Sequence, residues 1–226
     1  MPTVRRLERH VLGQQPFDRL RLLVVPELLG LHMMPAHHVL SLDPSVVSPG
    51  AALWVVREGQ SKLLGAARVP ILEQTTISEA ERWLHVADSV LAWVSGLAQI
   101  LMIERQLRIA TFVFERPQIY REAKSKGDHN QLIGLAAVGV ALAARLQVTS
   151  PALVVLSPTP AEWSGQLPKT TRGDPWKSPR GQRVAGRLSP DELRLVPAQH
   201  DAIDAVGLGL WALGRFDRQR NWHIAR

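Results

Sequence analysis

Apolar residues in this chain fall into five short runs and three longer periodic stretches. The first run, 39–43 (VLSLD), reads as a buried strand ending in Asp43, with the turn-formers Pro44-Ser45 and Ser48-Pro49-Gly50 after it. Runs 51–57 and 62–69 read as two further strands, joined as a hairpin through Glu58-Gly59-Gln60. A helix is predicted next, capped by Thr76 or Ser78, with Glu79 and Glu81 where the N-terminal dipole favours acid. Its apolar positions (Trp83, Leu84, Val90, Leu91, Val94, Leu97) recur at helical spacing, and the pattern continues to about Arg108. Residues 110–115 (ATFVFE) form a fourth strand, ending in Glu115 and stopped by Pro117.

After a polar loop, a helix is expected from about 128 to 146. Its small residues, among them Gly134, Ala137, Gly139 and Ala141, would let it lie close to a sheet or to a partner subunit. Residues 152–157 (ALVVLS) read as the fifth strand. Residues 158–198, heavy in proline, glycine and basic side chains, read as irregular, and a last helix begins at about 200. The order β-β-β-α-β-α-β-loop-α implies an α/β fold: a mixed five-stranded sheet, antiparallel at first and then parallel, with helices on both faces. Residues 1–37 differ from the rest, being rich in arginine and leucine and broken by Pro16, Pro26 and Pro35. A basic N-terminal arm and an upstream start codon assigned in error would both produce that pattern. The expected organisation is therefore an N-terminal extension at 1–37, a domain at 38–215 and a basic tail at 216–226.

Composition narrows the class. With 226 residues, 46% of them hydrophobic, the chain can bury one substantial core. It has no cysteine, so disulfides and thiolate metal sites are excluded. Uncharged stretches at 89–103 and 130–144 fall short of the roughly 20 residues that a bilayer crossing needs. Arg19, Arg21 and Glu27 interrupt what could have been a signal peptide. The expectation is a soluble protein of the cytoplasm. A net charge of +7 suggests a polyanionic partner, of which nucleic acid is the commonest.

The candidate chemistry lies in four acids. Asp201 and Asp204 stand at i and i+3, so a helix presents both carboxylates on one face, at the head of an otherwise apolar segment. Acid in that position costs desolvation energy unless positive charge compensates it. Asp43 and Glu115 each end a strand, and neighbouring strand ends can converge with a helix head at one sheet edge. Four carboxylates there would repel one another unless cations intervened, and oxygen-only ligation selects magnesium or manganese over zinc. Two such ions, about 3.5–4 Å apart, suit in-line displacement at phosphorus. Each acid also has a structural alternative. Asp43 could open an Asp-Pro turn, Glu115 could pair with a nearby base, and Asp201 could cap its helix while Asp204 answers the dipole.

With those elements in order, the sequence resembles the RuvC-like Holliday-junction resolvases of the ribonuclease-H-like superfamily. The resemblance spans about residues 38–215 and rests on LSLDPSVVSPGAALWV, FVFERPQIY, NQLIGLAAVGVALAA and HDAIDAVGLGLWALGR. It implies that Asp43 bridges two magnesium ions, that Glu115 holds one of them, and that Asp201 with Asp204 completes the shell. Ser45 stands where the family often has glycine. Some members carry histidine at the position of Asp201; His200 comes one residue early, about 100° around a helix. Ser164 lies near an expected lysine, for which Lys169 is the best substitute. Tyr120 occupies the region that supplies a branch-point aromatic.

Basic residues flank these acids. Lys124 and Lys126 follow Glu115, while Lys169, Arg172, Lys177 and Arg180 lie in the 158–198 segment with Trp163 and Trp176 among them. Such interleaving suits phosphate tracking with stacking, although a loop tryptophan can equally fold back to cover a sheet edge. The resemblance implies a magnesium-dependent, structure-selective endonuclease that acts on branched DNA as a homodimer and leaves 5′-phosphate ends. The rival readings are another ribonuclease-H-like nuclease, of replication or packaging, and a non-catalytic DNA-binding relative.

Overall fold

A computed structural model describes residues 36–71, 78–117, 129–165, 167 and 173–216, all within one compact unit. Five strands, β1 (His37–Asp43), β2 (Gly50–Arg57), β3 (Gln60–Arg68), β4 (Ile109–Phe114) and β5 (Val154–Leu156), form one sheet in the order β3-β2-β1-β4-β5. β1, β2 and β3 are antiparallel neighbours. β4 runs parallel to β1, and β5 runs parallel to β4. The mixed sheet expected from the strand order is therefore present. The β2–β3 turn places Glu58 at φ 51° and Gly59 at φ 76°, two successive left-handed residues that match the twist of a tight hairpin.

Alternation along β1 sends its side chains to two separate cores. Leu40 and Leu42 face one layer, built with Val86, Val90 and Val94 of α1 (Glu79–Ile100) and Val138, Leu142 and Leu146 of α2 (His129–Thr149). Val39 faces the other, with Trp54 of β2 and Ile203, Val206, Leu208 and Leu210 of α6 (His200–Ala212). Each large aliphatic side chain removed from water in these layers contributes about 1.5–3 kcal/mol. β1 begins at His37, and Phe216 is buried in the second layer.

Three elements depart from the sequence reading, each for a local reason. α1 stops at Ile100, short of Arg108. The Met102 N–H bonds the Gln99 carbonyl and the Ile103 N–H bonds that of Ala98, a helix-ending motif with Met102 left-handed at φ 54°. The start is as expected, with Ser78 and Glu81 forming a capping box. α2 runs on past its uncharged stretch to Thr149, long and apolar enough by composition to cross a membrane. In this fold it packs Val138, Leu142 and Leu146 into the sheet core, while Gly139 lies against the Phe114 ring.

The third departure is the largest. The segment read as irregular holds α3 (Pro160–Ser164), a 3-10 turn (Pro175–Lys177), α4 (Pro179–Ala185) and α5 (Pro190–Arg194). Each opens with proline just after Thr159, Asp174, Ser178 or Ser189. Proline fits the first helical position because its missing N–H would have had no partner there.

α5 is tied to the sheet by one buried side chain. Glu192 accepts hydrogen bonds from Nη1 and Nη2 of Arg215, each at 2.8 Å, and from the Leu63 N–H at 2.9 Å. Burial alone would push the Glu192 carboxyl up. Hydrogen bonds from Arg215, Ser189 and Leu63, with the Arg215 charge, outweigh that effect and hold it below the usual carboxylate range.

Candidate active site

Backbone contacts bring three of the four acids to one edge of the sheet. β1 and β4 end side by side: Leu42 is level with Phe114, and the Glu115 N–H donates to the Leu42 carbonyl at 3.2 Å. Glu115 thus emerges next to Asp43. On the other side, Asp43 is level with Gly50 across the β1–β2 pair. A Cβ at Gly50 would lie only 1.8 Å from the Asp201 carbonyl oxygen, so the first turn of α6 rests directly on the strand backbone. Asp204 follows one turn later on the same helix. Gln199 is the α6 N-cap and makes no side-chain cap bond, which puts Asp201 inside the first turn, favoured there by the dipole.

The carboxylates are held by protein groups. Asp43 is 9% exposed and Asp204 2% exposed. The Trp163 indole N–H donates to Glu115 Oε2 at 2.6 Å. Arg180 Nη1 donates to Asp204 Oδ2 at 3.0 Å, and its guanidinium lies 5.0 Å from the Trp163 ring centroid. Arg68 Nε lies 3.3 Å from Asp201 Oδ2, and its Nη2 donates to Ser48. The Arg68–Asp201 pair is solvent-exposed and therefore weak, whereas the Arg180–Asp204 pair is nearly closed to water.

A divalent cation is tested by this arrangement in two ways. In placement and in chemistry the acids suit a hard cation, because all are carboxylates and three elements deliver them to one edge. As the side chains stand, no three acidic or histidine groups among the described residues form a ready cage. The reason is visible in the pairings: Asp204 is turned to Arg180, Asp201 to Arg68 and Glu115 to Trp163. The residues that would hold the ion are Asp43, Glu115 and Asp201, with Asp204 engaged elsewhere.

Trp163 is the contributor that sequence reasoning missed in this role. It is 1% exposed, and α6 makes room for it at Gly207, where a Cβ would fall 2.4 Å from the indole. Its side chain therefore packs and positions a carboxylate rather than offering a stacking surface. Trp176 is half-buried against the same core layer. Lys177, Arg187 and Arg194 are exposed, whereas Arg180 is turned inward. Ser164 is buried and donates to the Pro160 carbonyl, and His200 is the first residue of α6. Tyr120, Lys124, Lys126, Lys169 and Arg172 lie outside the described residues, as do the extension at 1–35 and the tail from 217.

Gly50 makes a direct prediction. Gly50→Ala must push the first turn of α6 away from β2, at a cost of about 1–3 kcal/mol by overpacking. Chemical denaturation should show that loss; an unchanged midpoint would mean that the helix does not rest on the strand.

No family model matches the sequence, and no curated protein matches it. Among solved structures the chain is similar to T. thermophilus RuvC in complex with a Holliday junction substrate, at 17% identity and a TM-score of 0.50. That alignment covers 78% of this chain and 93% of the other. The yeast mitochondrial Holliday junction resolvase Ydc2 aligns with a TM-score of 0.44 at 14% identity, over 84% of this chain and 82% of that one. The human cytomegalovirus terminase nuclease domain aligns with a TM-score of 0.39 at 11% identity, over 77% and 71%. What the first of these shares with the chain is the ribonuclease-H-like fold.

Proposed function

We propose that this chain is a magnesium-dependent, structure-selective DNA endonuclease that resolves four-way junctions by paired nicks. The observation that carries this reading is the meeting of Asp43, Glu115 and the head of α6 at one sheet edge. Nothing in packing alone asks for acids from three elements at the same place, since like charges in one site raise its energy.

Asp43, Glu115 and Asp201 would hold magnesium, or manganese in its place. The chemistry supplied by the ion, when bound, is an activated water and stabilisation of the leaving oxygen at phosphorus. The chain's own residues prepare the place. Trp163 fixes one Glu115 oxygen by a short hydrogen bond, and burial around Asp43 limits competing water. The exposed Lys177 and Arg187 stand ready to neutralise phosphates on the approaching strand.

Paired nicks across a two-fold substrate call for two copies of the site, hence a homodimer. The exposed Ile133, Val140 and Val148 of α2 recur at spacings that share one helix face, and a second copy would cover such a stripe. Resolution of branched DNA places the protein in recombination and repair.

The test is a synthetic four-way junction incubated beside linear duplex and an RNA–DNA hybrid, with and without magnesium. Cleavage confined to the junction, dependent on magnesium and leaving 5′-phosphates, is expected. Equal cutting of linear duplex would assign the chain to another ribonuclease-H-like nuclease. Junction binding without cleavage in either magnesium or manganese would make it a binding protein.

A further inference from the structure

We propose that Arg180 is the resting occupant of the cation position at Asp204, so that a divalent ion gains this carboxylate only when the guanidinium leaves it. The inference rests on the metal-dependent reading above and adds a regulatory step within the same site.

Asp204 is almost fully buried, and a carboxylate there demands a positive partner. Arg180 supplies it at 3.0 Å, with only 13% of its own side chain exposed. The guanidinium is also held over Trp163, and its Nη2 donates to the Leu167 carbonyl at 3.3 Å. Trp163 in turn donates to Glu115, so one arginine–tryptophan pair touches acids from both β4 and α6.

The hold is incomplete. Arg180 Nε is buried and has no hydrogen-bond partner among the described residues. An unsatisfied buried donor raises the energy of the paired state, and release would relieve it. The departing group also has somewhere to go. Arg180 lies on α4, between the exposed Lys177 and Arg187, and a guanidinium pairs well with a phosphate through two parallel hydrogen bonds.

Asp201 provides the contrast. Its partner Arg68 is 48% exposed and Asp201 itself 30%, so water and salt already compete for that pair. The two aspartates of α6 therefore differ in availability. Asp201 can turn to an incoming ion at little cost, while Asp204 waits for Arg180. Without DNA, the chain should bind a single divalent ion.

Calorimetric titration of Mn2+ into the DNA-free full chain tests this without reference to cleavage. Wild type is expected to bind one Mn2+, and Arg180→Gln to gain a second or to bind about tenfold more tightly. Arg180→Lys, which keeps the charge, should stay close to wild type. Because Arg180→Gln removes a positive charge beside a buried carboxylate, it should also melt lower than wild type and recover more on Mn2+ addition. Equal stoichiometry and affinity in wild type and Arg180→Gln would overturn the inference, as would an Arg180→Gln chain that stays unfolded at every Mn2+ concentration. Asp43→Asn separates the two levels. If Asp43→Asn abolishes Mn2+ binding while Arg180→Gln matches wild type, only the Arg180 step fails. If wild type and Arg180→Gln both bind none, the metal reading itself fails.

Discussion

Asp43→Asn should abolish junction cleavage while leaving junction binding close to wild type. Asparagine preserves the shape of the side chain but removes the charge at the point where β1 meets both Glu115 and the head of α6. Phosphate contacts supply most of the affinity of such a protein for DNA, and Asp43 is an acid, so its loss removes none of them. The chemical step suffers instead, by at least about 10³-fold, or about 4 kcal/mol of activation free energy. Burst measurements at saturating junction, with a parallel mobility-shift titration, separate the two effects. Loss of binding together with cleavage, in a folded variant, would mean that Asp43 holds the backbone together and is no ligand.

Glu192→Ala should be the most damaging single change to stability away from the proposed site. It strands Arg215 in a largely closed position and removes the acceptor of the buried Leu63 N–H. Breaking a buried ion pair from one side costs about 3–5 kcal/mol, against a total stability of about 5–15 kcal/mol for a typical domain. Urea denaturation followed by circular dichroism reads the difference, and a loss under about 1 kcal/mol would contradict a pinning role. The effect should also depend on pH. The folded Glu192 carboxyl titrates below its unfolded value, so its stabilisation is present above about pH 4.3 and fades as pH falls through the folded pKa. The gap between wild type and Glu192→Gln should accordingly narrow in acid.

Much of this architecture can be read from the chain because periodicity and local chemistry agree. The five strands announce themselves by short apolar runs with turn residues between them, and Ser78-x-x-Glu81 is a local cap that needs no tertiary information. The short helices between 158 and 198 were signalled too, by Thr159, Asp174, Ser178 and Ser189 each preceding a proline. A high content of proline and glycine masks that signal when composition is weighed before position. The end of α1 was hidden for a different reason, because its left-handed residue is Met102 where glycine would be the usual marker.

At the site, the sequence placed Asp43 and Glu115 at strand ends, and the parallel β1–β4 pair brings the ends of both strands to one edge. The partners of the acids were not legible. Arg180 reaches Asp204 and Trp163 reaches Glu115 across long stretches of chain, and no periodicity encodes contacts of that kind. Reading Arg180 as one more phosphate-contacting base followed from its neighbours in sequence; its burial follows from its neighbours in space.

The bare contact between Gly50 and the Asp201 carbonyl has a consequence for motion. No side chain separates helix from strand there, so nothing can rotate aside to let the two slide. Asp201 can part from Asp43 only if α6 lifts off the sheet, and α6 carries Ile203, Val206, Leu208 and Leu210 into the core layer beneath it. This edge should therefore open less readily than the surface loops, because separating the strand and helix backbones there disturbs the packing of α6.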